Sequence, residues 1–396
     1  MTWKCSPIDQ FLSPKIDHLA IGRLVNVKKF TYRRVAMMRA AVMRNKEIIV
    51  TEVADLSPGQ GEALVKTLAC GICGSDLHAL HHGEAMVEAQ RESGGPLVYD
   101  TSRDVVLGHE FSAEILELGR GAPTHLKTGD LVCSYPVLMS GGEAKAIGFS
   151  NDVPGGYAEN MLLTSSLLLQ IPNGLSAELA ALTEPMAVGR HAVEKAAGSL
   201  GGSCLVIGCG PVGLAVIAAL KQKGCGPIVA SDFSPKRREL AEMLGADEVI
   251  NPADLSPYDS WRAISTSAKK TIDKSSSHDG LRPKAGGIIF ECVGLPGVIE
   301  EIMTGAMRGT SVVVVGVCMQ QDSFHPMIAI GKELNLQFVL GYSANEFRDT
   351  LRAIAEGELN VENLITGKVG INGIAQAFDD LADPELHAKV IVEPWR

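Results

Sequence analysis

The run Cys204-Leu205-Val206-Ile207 leads directly into Gly208-Cys209-Gly210-Pro211-Val212-Gly213, after which Leu214-Ala215-Val216-Ile217 opens a helical pattern. A strand that turns through closely spaced small residues into a helix lets a pyrophosphate approach the backbone and meet free helical N–H groups. GxGxxG alone is a common turn. Here a second strand pattern, Pro227–Ser231, ends at Asp232, nineteen residues after Gly213, where a carboxylate reads the adenosine ribose hydroxyls. The residues expected to bind a dinucleotide are therefore Gly208, Gly210, Pro211, Val212, Gly213 and Asp232, with Arg237 beside them. NAD is expected rather than NADP, because Asp232 repels a 2′-phosphate. Lys236, Arg237 and Arg238 are the residues that would serve that phosphate instead, or they simply begin a solvated helix face.

The rest of the second half suits a parallel sheet with helical crossovers, the α/β class. Strands are expected at Cys204–Ile207, Pro227–Ser231, Glu248–Ile250, Gly287–Glu291 and Ser311–Val315, and helices at Gly213–Lys221, Lys236–Leu244, Val298–Met307 and Ala344–Gly357. Ser256–Pro283 is polar and reads as a partly mobile insertion. Ser311–Val315 is apolar enough either to be buried in its sheet or to pair with a second subunit. The first half differs, with short strands at Arg39–Val42, Glu47–Glu52, Glu62–Leu68 and Glu110–Leu118 between turn residues, the pattern of an irregular β-barrel. Ser176 is placed to cap a helix over Leu175–Leu182, a second helix is expected over Met186–Ala197, and Lys389–Val392 reads as a last strand returning to the first unit.

A chain of 396 residues suits two domains, and a net charge of −10 lacks the basic face that nucleic acid requires. A small-molecule substrate is the better expectation. The uncharged stretch Ala196–Leu220 is broken by glycines, serines and Pro211, so it is not expected to span a membrane. Nine cysteines spread over this length make no disulfide framework, and cytoplasmic, reduced thiols are expected. Residues 1–37 are basic and read as a disordered extension ahead of the folded unit.

Within Cys70–Glu110 the chain gathers the thiols Cys70 and Cys73, the imidazoles His78, His81, His82 and His109, and several carboxylates, which are the donors zinc prefers. Buried packing cysteines and hydrogen-bonded histidines are the competing reading.

Taken in order, Gly71-Ile72-Cys73-Gly74-Ser75-Asp76-Leu77-His78, Gly108-His109-Glu110, Gly155-Gly156-Tyr157-Ala158-Glu159, Glu184-Pro185 and the glycine loop resemble the medium-chain zinc-dependent alcohol dehydrogenases, in the sorbitol and threonine dehydrogenase branch. The resemblance implies a GroES-like β-barrel catalytic domain (38–188, completed by 341–396) around a Rossmann domain (189–340). It also implies homodimers or homotetramers. Its site residues carry over as Cys73 and His109 for catalytic zinc, with Glu110 and Glu184 at the metal as direct or water-mediated ligands, their division left open. Asp76 is implied to orient His109, while Ser75 and His78 carry a proton away as a substrate carbon gives hydride to NAD. An alternative is a threonine-like amino-alcohol dehydrogenase, and another is a dinucleotide-binding regulatory protein without catalysis. Many relatives carry a structural zinc on four close cysteines. This chain has only Cys133 near that lobe (Tyr135–Val153), so one zinc per chain is expected. The thirty-six positions from Cys73 to His109 exceed those expected of most relatives. Residues 81–104 are expected to form a loop near the substrate, with His81 and His82 as solvated loop residues rather than additional ligands.

Overall fold

A computed structural model describes residues 36–196, 202–272 and 286–396. The expectations for residues 1–35 and 273–285 lie outside the described residues. The first part opens with the hairpin β1 (Met37–Arg44) and β2 (Glu47–Ala54), then β3 (Glu62–Gly71), α1 (Gly74–Ser93), β4 (Glu110–Leu118) and β5 (Leu131–Ser134). The hairpin β6 (Val137–Ser140) and β7 (Glu143–Ala146) precedes β8 (Asn160–Thr164), β9 (Leu168–Gln170), α2 (Ala177–Ala181) and α3 (Thr183–Lys195). The middle part follows as β10 (Cys204–Ile207), α4 (Pro211–Gln222), β11 (Ile228–Ser231), α5 (Pro235–Met243), β12 (Glu248–Ile250) and α6 (Pro257–Ile272). It continues with β13 (Ile288–Glu291), α7 (Val298–Gly305), β14 (Ser311–Val314), α8 (Pro326–Lys332) and β15 (Asn335–Phe338). The chain ends with α9 (Ala344–Ala355), β16 (Ile365–Gly370), α10 (Ile374–Asp380) and β17 (Lys389–Glu393).

Six strands of the middle part form a parallel sheet in the order β12-β11-β10-β13-β14-β15. Strand order reverses between β10 and β13, so the glycine turn after β10 opens at the crevice where such sheets bind ligands. The inner strands β10, β11, β13 and β14 are mostly apolar and buried, as expected where helices cover both faces of a parallel sheet. In the seven-stranded sheet of the first part, β17 pairs with β3 antiparallel, matching Ile391 with Gly71 and Val392 with Cys70. The last strand thereby reaches the chain entering Cys73.

Two expectations are corrected, and one open alternative, for Ser311–Val315, is decided in favour of burial within the sheet. Residues 81–93 are helix rather than loop: α1 runs through a kink at His82 (φ −130°, ψ 23°) to a left-handed Gly94. Its buried stripe, Asp76, Ala79, Leu80, Gly83, Met86 and Val87, has helical spacing and faces the core. The polar stretch from Ser256 contains α6, held by Trp261, which is fully buried and donates its indole N–H to the Ser203 carbonyl at 3.2 Å. Strand β14 has neighbours on both sides, β13 and β15, so its hydrogen-bonding edges are used within the chain and it cannot pair with a second subunit. The outer strand is β15, with Phe338 exposed at its end.

Helix α3 begins at Thr183, earlier than the expected start at Met186, which places Glu184 in its first turn. It packs closely on α4 at Gly189, where an added Cβ would lie 2.4 Å from the Ala215 backbone carbon. Alanine has the higher helix propensity by about 1 kcal/mol, but forcing two helices apart costs about 1–3 kcal/mol. Gly189→Ala is therefore expected to lower the denaturant midpoint of unfolding. A midpoint equal to or above that of the parent would show that the crossing yields freely.

Candidate functional site

Helix α1 starts where Cys73, in extended conformation, donates its N–H to Asp76 Oδ2 at 3.0 Å. This closes the helix N-terminus with a side chain from its own first turn. The same carboxylate oxygen accepts the Tyr157 hydroxyl at 2.7 Å. Its other oxygen, Oδ1, lies 3.5 Å from His109 Nδ1, an ion-pair distance longer than a formed hydrogen bond, and neither atom has another partner. Asp76 is completely buried and His109 nearly so.

Burial alone would drive both groups toward neutrality, and their mutual attraction overcomes it. Burial is the largest influence on Asp76 and raises its pKa, yet His109 and the hydrogen bonds from Cys73 and Tyr157 bring it below the ordinary carboxyl value. For His109 burial pulls down, and Asp76 with Cys73 lifts it well above the ordinary imidazole value. With Nδ1 turned to Asp76, Nε2 is the atom presented to the site.

Donor atoms of Cys73, His109 and Glu110 all lie within 4.8 Å of one another, the one such group among the described residues. Thiol, imidazole and carboxylate, with an acidic support behind the imidazole, form a donor set suited to zinc. Glu184 stands outside this group but faces it. Its carboxyl is pushed up to about 7 by burial, pulled down by His109 and pushed up by Glu110. Tyr342 donates its hydroxyl to Glu184 Oε1 at 2.9 Å. Glu110 differs, because both its oxygens accept from Lys389 Nζ, at 2.8 and 2.7 Å, and the same ammonium donates to the Ile72 carbonyl at 3.0 Å.

Ser75 places its hydroxyl 3.5 Å from His109 Nε2. His78 follows at the i+3 position of the same helix. Its pKa lies below the ordinary value, through burial first and then His82 and His81, and its Nδ1 has no partner. His81 and His82 are exposed on α1 and belong to no donor group among the described residues. Cys70 is fully buried in the barrel core, in keeping with packing rather than ligation.

The glycine loop meets the tests of its sequence pattern. Gly210 caps α4 in extended conformation with Pro211 as its first residue, and no side chain occupies the cap. The N–H groups of the first turn are thus left to an incoming anion. A side chain at Gly213 would lie 1.9 Å from the Gly208 carbonyl oxygen, so only glycine allows helix and strand to pack this closely. Asp232 braces the loop as well as facing its crevice: Oδ2 accepts the Cys209 N–H at 2.7 Å and Oδ1 the Ser234 N–H at 2.9 Å. Arg237 stands 4.0 Å from Asp232, while Arg238 donates to the carbonyls of Asp232 and Phe233 at 2.7 and 2.8 Å. Pro211 of the loop and Lys389, the partner of Glu110, line one small apolar cavity with Pro185 and Met186.

The sequence pattern assigned no role to Lys389, Tyr157 or Tyr342. A lysine opening an otherwise apolar strand, and a tyrosine within the Gly155-Gly156-Tyr157 run, were the available signals.

Comparison with known proteins agrees with this geometry. Residues 59–173 match the model of the alcohol dehydrogenase GroES-like domain, and residues 211–356 that of zinc-binding dehydrogenases. The (R,R)-butanediol dehydrogenase of Bacillus subtilis (strain 168) is 30% identical over 370 residues, spanning 90% of this chain and 100% of that protein. The sorbitol dehydrogenases of the same organism and of Gallus gallus are 29% and 28% identical, covering 86% of this chain and 93% and 94% of theirs. The crystal structure of 2R,3R-butanediol dehydrogenase from Bacillus subtilis superposes with a TM-score of 0.73 at 28% identity, over 90% of this chain and 99% of that one.

Zinc ligation needs a neutral imidazole. Because His109 holds its proton more tightly than an ordinary histidine, zinc uptake near neutral pH should release a proton, and affinity should fall as pH is lowered. Asp76→Asn should shrink that proton release. At alkaline pH, where protons no longer compete, it should weaken zinc about 10–100-fold by freeing the imidazole. Calorimetry in buffers of different ionisation enthalpy reads both effects. Unchanged proton release and affinity in the variant would contradict this account of Asp76.

Proposed function

The chain belongs to the zinc-dependent medium-chain alcohol dehydrogenases, and we propose that it transfers a hydride between a secondary alcohol or polyol and NAD. The observation that carries this reading is the convergence of Cys73, His109 and Glu110 donor atoms within 4.8 Å, in a chain whose glycine loop opens a helix with no side chain at its cap. Cys73 and His109, with Glu110 or Glu184, would hold zinc. Gly208, Gly210, Pro211, Val212, Gly213 and Asp232 would hold the coenzyme. When bound, zinc supplies Lewis acidity toward the substrate oxygen and the nicotinamide exchanges the hydride.

The chain's own groups handle position and protons. Asp76 fixes the His109 ring so that Nε2 faces the donor cluster. Ser75, beside that nitrogen, is placed to accept the substrate hydroxyl proton. His78 is held neutral by burial and by its histidine neighbours, which leaves it a free acceptor for the proton moving outward. Lys389 balances the charge of Glu110, so that two buried carboxylates sit beside the donors without an unopposed double charge. Asp232 supports NAD over NADP, since its carboxylate occupies the crevice end of β11 and the nearby Arg237 is turned toward it. The similarity to butanediol and sorbitol dehydrogenases supports vicinal diols and polyols as the first substrates to try.

A panel of secondary alcohols, vicinal diols, sugar alcohols and threonine, assayed for reduction of NAD and NADP, tests the proposal. Oxidation of a diol or polyol with NAD is expected, with at least a hundredfold loss in Cys73→Ala, about 3 kcal/mol of barrier. Activity undiminished in that variant would sink the zinc mechanism, and a clear preference for NADP would overturn the role given to Asp232.

A further inference from the structure

Glu110 and Glu184 are the two acidic side chains at the donor cluster, and the structure restrains them by opposite means. Lys389 meets both oxygens of Glu110 with a positive charge. Glu184 instead receives a neutral hydroxyl, from Tyr342, on one oxygen. A neutral donor on one oxygen orients a carboxyl group without supplying a counter-charge, whereas the ammonium on both oxygens of Glu110 already supplies one. Tyr342 lies outside both the glycine loop and the donor motifs, in the short connection between β15 of the coenzyme sheet and α9.

That connection is tied down at several points. The Tyr342 ring stacks on Phe347 with centroids 5.4 Å apart and meets Tyr135 edge-on at 5.1 Å. The Tyr342 carbonyl accepts the Tyr135 hydroxyl at 2.8 Å. The next residue, Ser343, caps α9 in a reciprocal arrangement with Glu346. Glu346 in turn meets His191 Nδ1 at 2.9 Å, and His191 lies on α3, the helix that carries Glu184. With ring, carbonyl and following residue all restrained, the hydroxyl has one direction available, toward Glu184 Oε1.

We propose that Tyr342 is a positioning residue, whose hydroxyl fixes the Glu184 carboxylate at the zinc site from the connection between the two parts of the chain. The inference rests on the zinc reading given above. Without the hydroxyl, Glu184 would be a buried carboxylate with no fixed orientation, and the metal would have to supply the ordering on each binding event.

The test is a double-mutant cycle of Tyr342→Phe, Glu184→Gln and the pair, read by competition for zinc with a chelating dye and by kcat and KM on a diol substrate. Tyr342→Phe keeps the ring, so the metal-free variant should melt within a few degrees of the parent. It should bind zinc about 10–100-fold more weakly. If Tyr342 acts through Glu184, the double variant should be no weaker than Glu184→Gln alone. Zinc affinity within twofold of the parent in Tyr342→Phe, or losses that multiply in the double variant, would overturn the proposal. Tyr135→Phe, which releases the Tyr342 carbonyl, provides a second cycle with Glu184→Gln. It should give a smaller loss that likewise vanishes in the Gln background, and multiplying losses there would also overturn it. A parent chain that takes up no zinc would remove the zinc reading and this inference together. A zinc-binding parent with an indifferent Tyr342→Phe would remove the inference alone.

Discussion

The ammonium of Lys389 sits almost wholly out of water, between the Glu110 carboxylate and the Ile72 carbonyl. Burying two charges is expensive, and removing one partner of such a pair costs about 3–5 kcal/mol because the other is left uncompensated. Here the contact joins three separate segments. Ile72 immediately precedes Cys73, and Glu110 immediately follows His109, so one lysine restrains the backbone on both sides of the donor cluster. That lysine opens the last strand, which pairs with β3 at Cys70 and Gly71. The donor cluster is therefore completed only when the end of the chain has returned, which gives a physical reason for the coenzyme sheet to lie between the two parts of the catalytic domain.

Asp76 concentrates a second set of functions in one carboxylate. It closes the first turn of α1, receives the Tyr157 hydroxyl and balances His109. Helix start and imidazole orientation are consequently linked, and Ser75 and His78 take their places from the same turn. The glycine loop is likewise braced by Asp232 through the Cys209 N–H, so the carboxylate proposed to read the ribose also holds the loop proposed to face the pyrophosphate. Both halves of the proposed chemistry thus stand on turns stiffened by their own acidic residues.

Much of this was legible in the sequence because it is local. The glycine loop, its strand and helix, and the acidic residue after the second strand are fixed by backbone sterics within about thirty residues. Cys73 and His109 were recognisable from their flanking residues. The contacts that were not legible join distant positions: Lys389 and Glu110 are 279 residues apart, and Tyr342 and Glu184 are 158 apart. A lone lysine or tyrosine carries no spacing signal of such a contact. The second half of α1 was hidden differently, since its histidines and acidic residues drew attention from the small and apolar stripe Ala79, Leu80, Gly83, Met86 and Val87 that buries it. The polar composition around α6 likewise outweighed the single anchoring Trp261. For β14 no local pattern was available, because a strand covered on both faces reads alike in the interior or at the edge of a parallel sheet.

One zinc ion is expected where Cys73, His109 and the neighbouring carboxylates converge. Crystals of the zinc-loaded chain, measured on both sides of the zinc absorption edge, locate the metal without reference to activity. One anomalous peak per chain is expected, between Cys73 Sγ and His109 Nε2, with a carboxylate of Glu110 or Glu184 turned toward it. No peak at that position, or a dominant peak at the exposed His81 and His82, would contradict it.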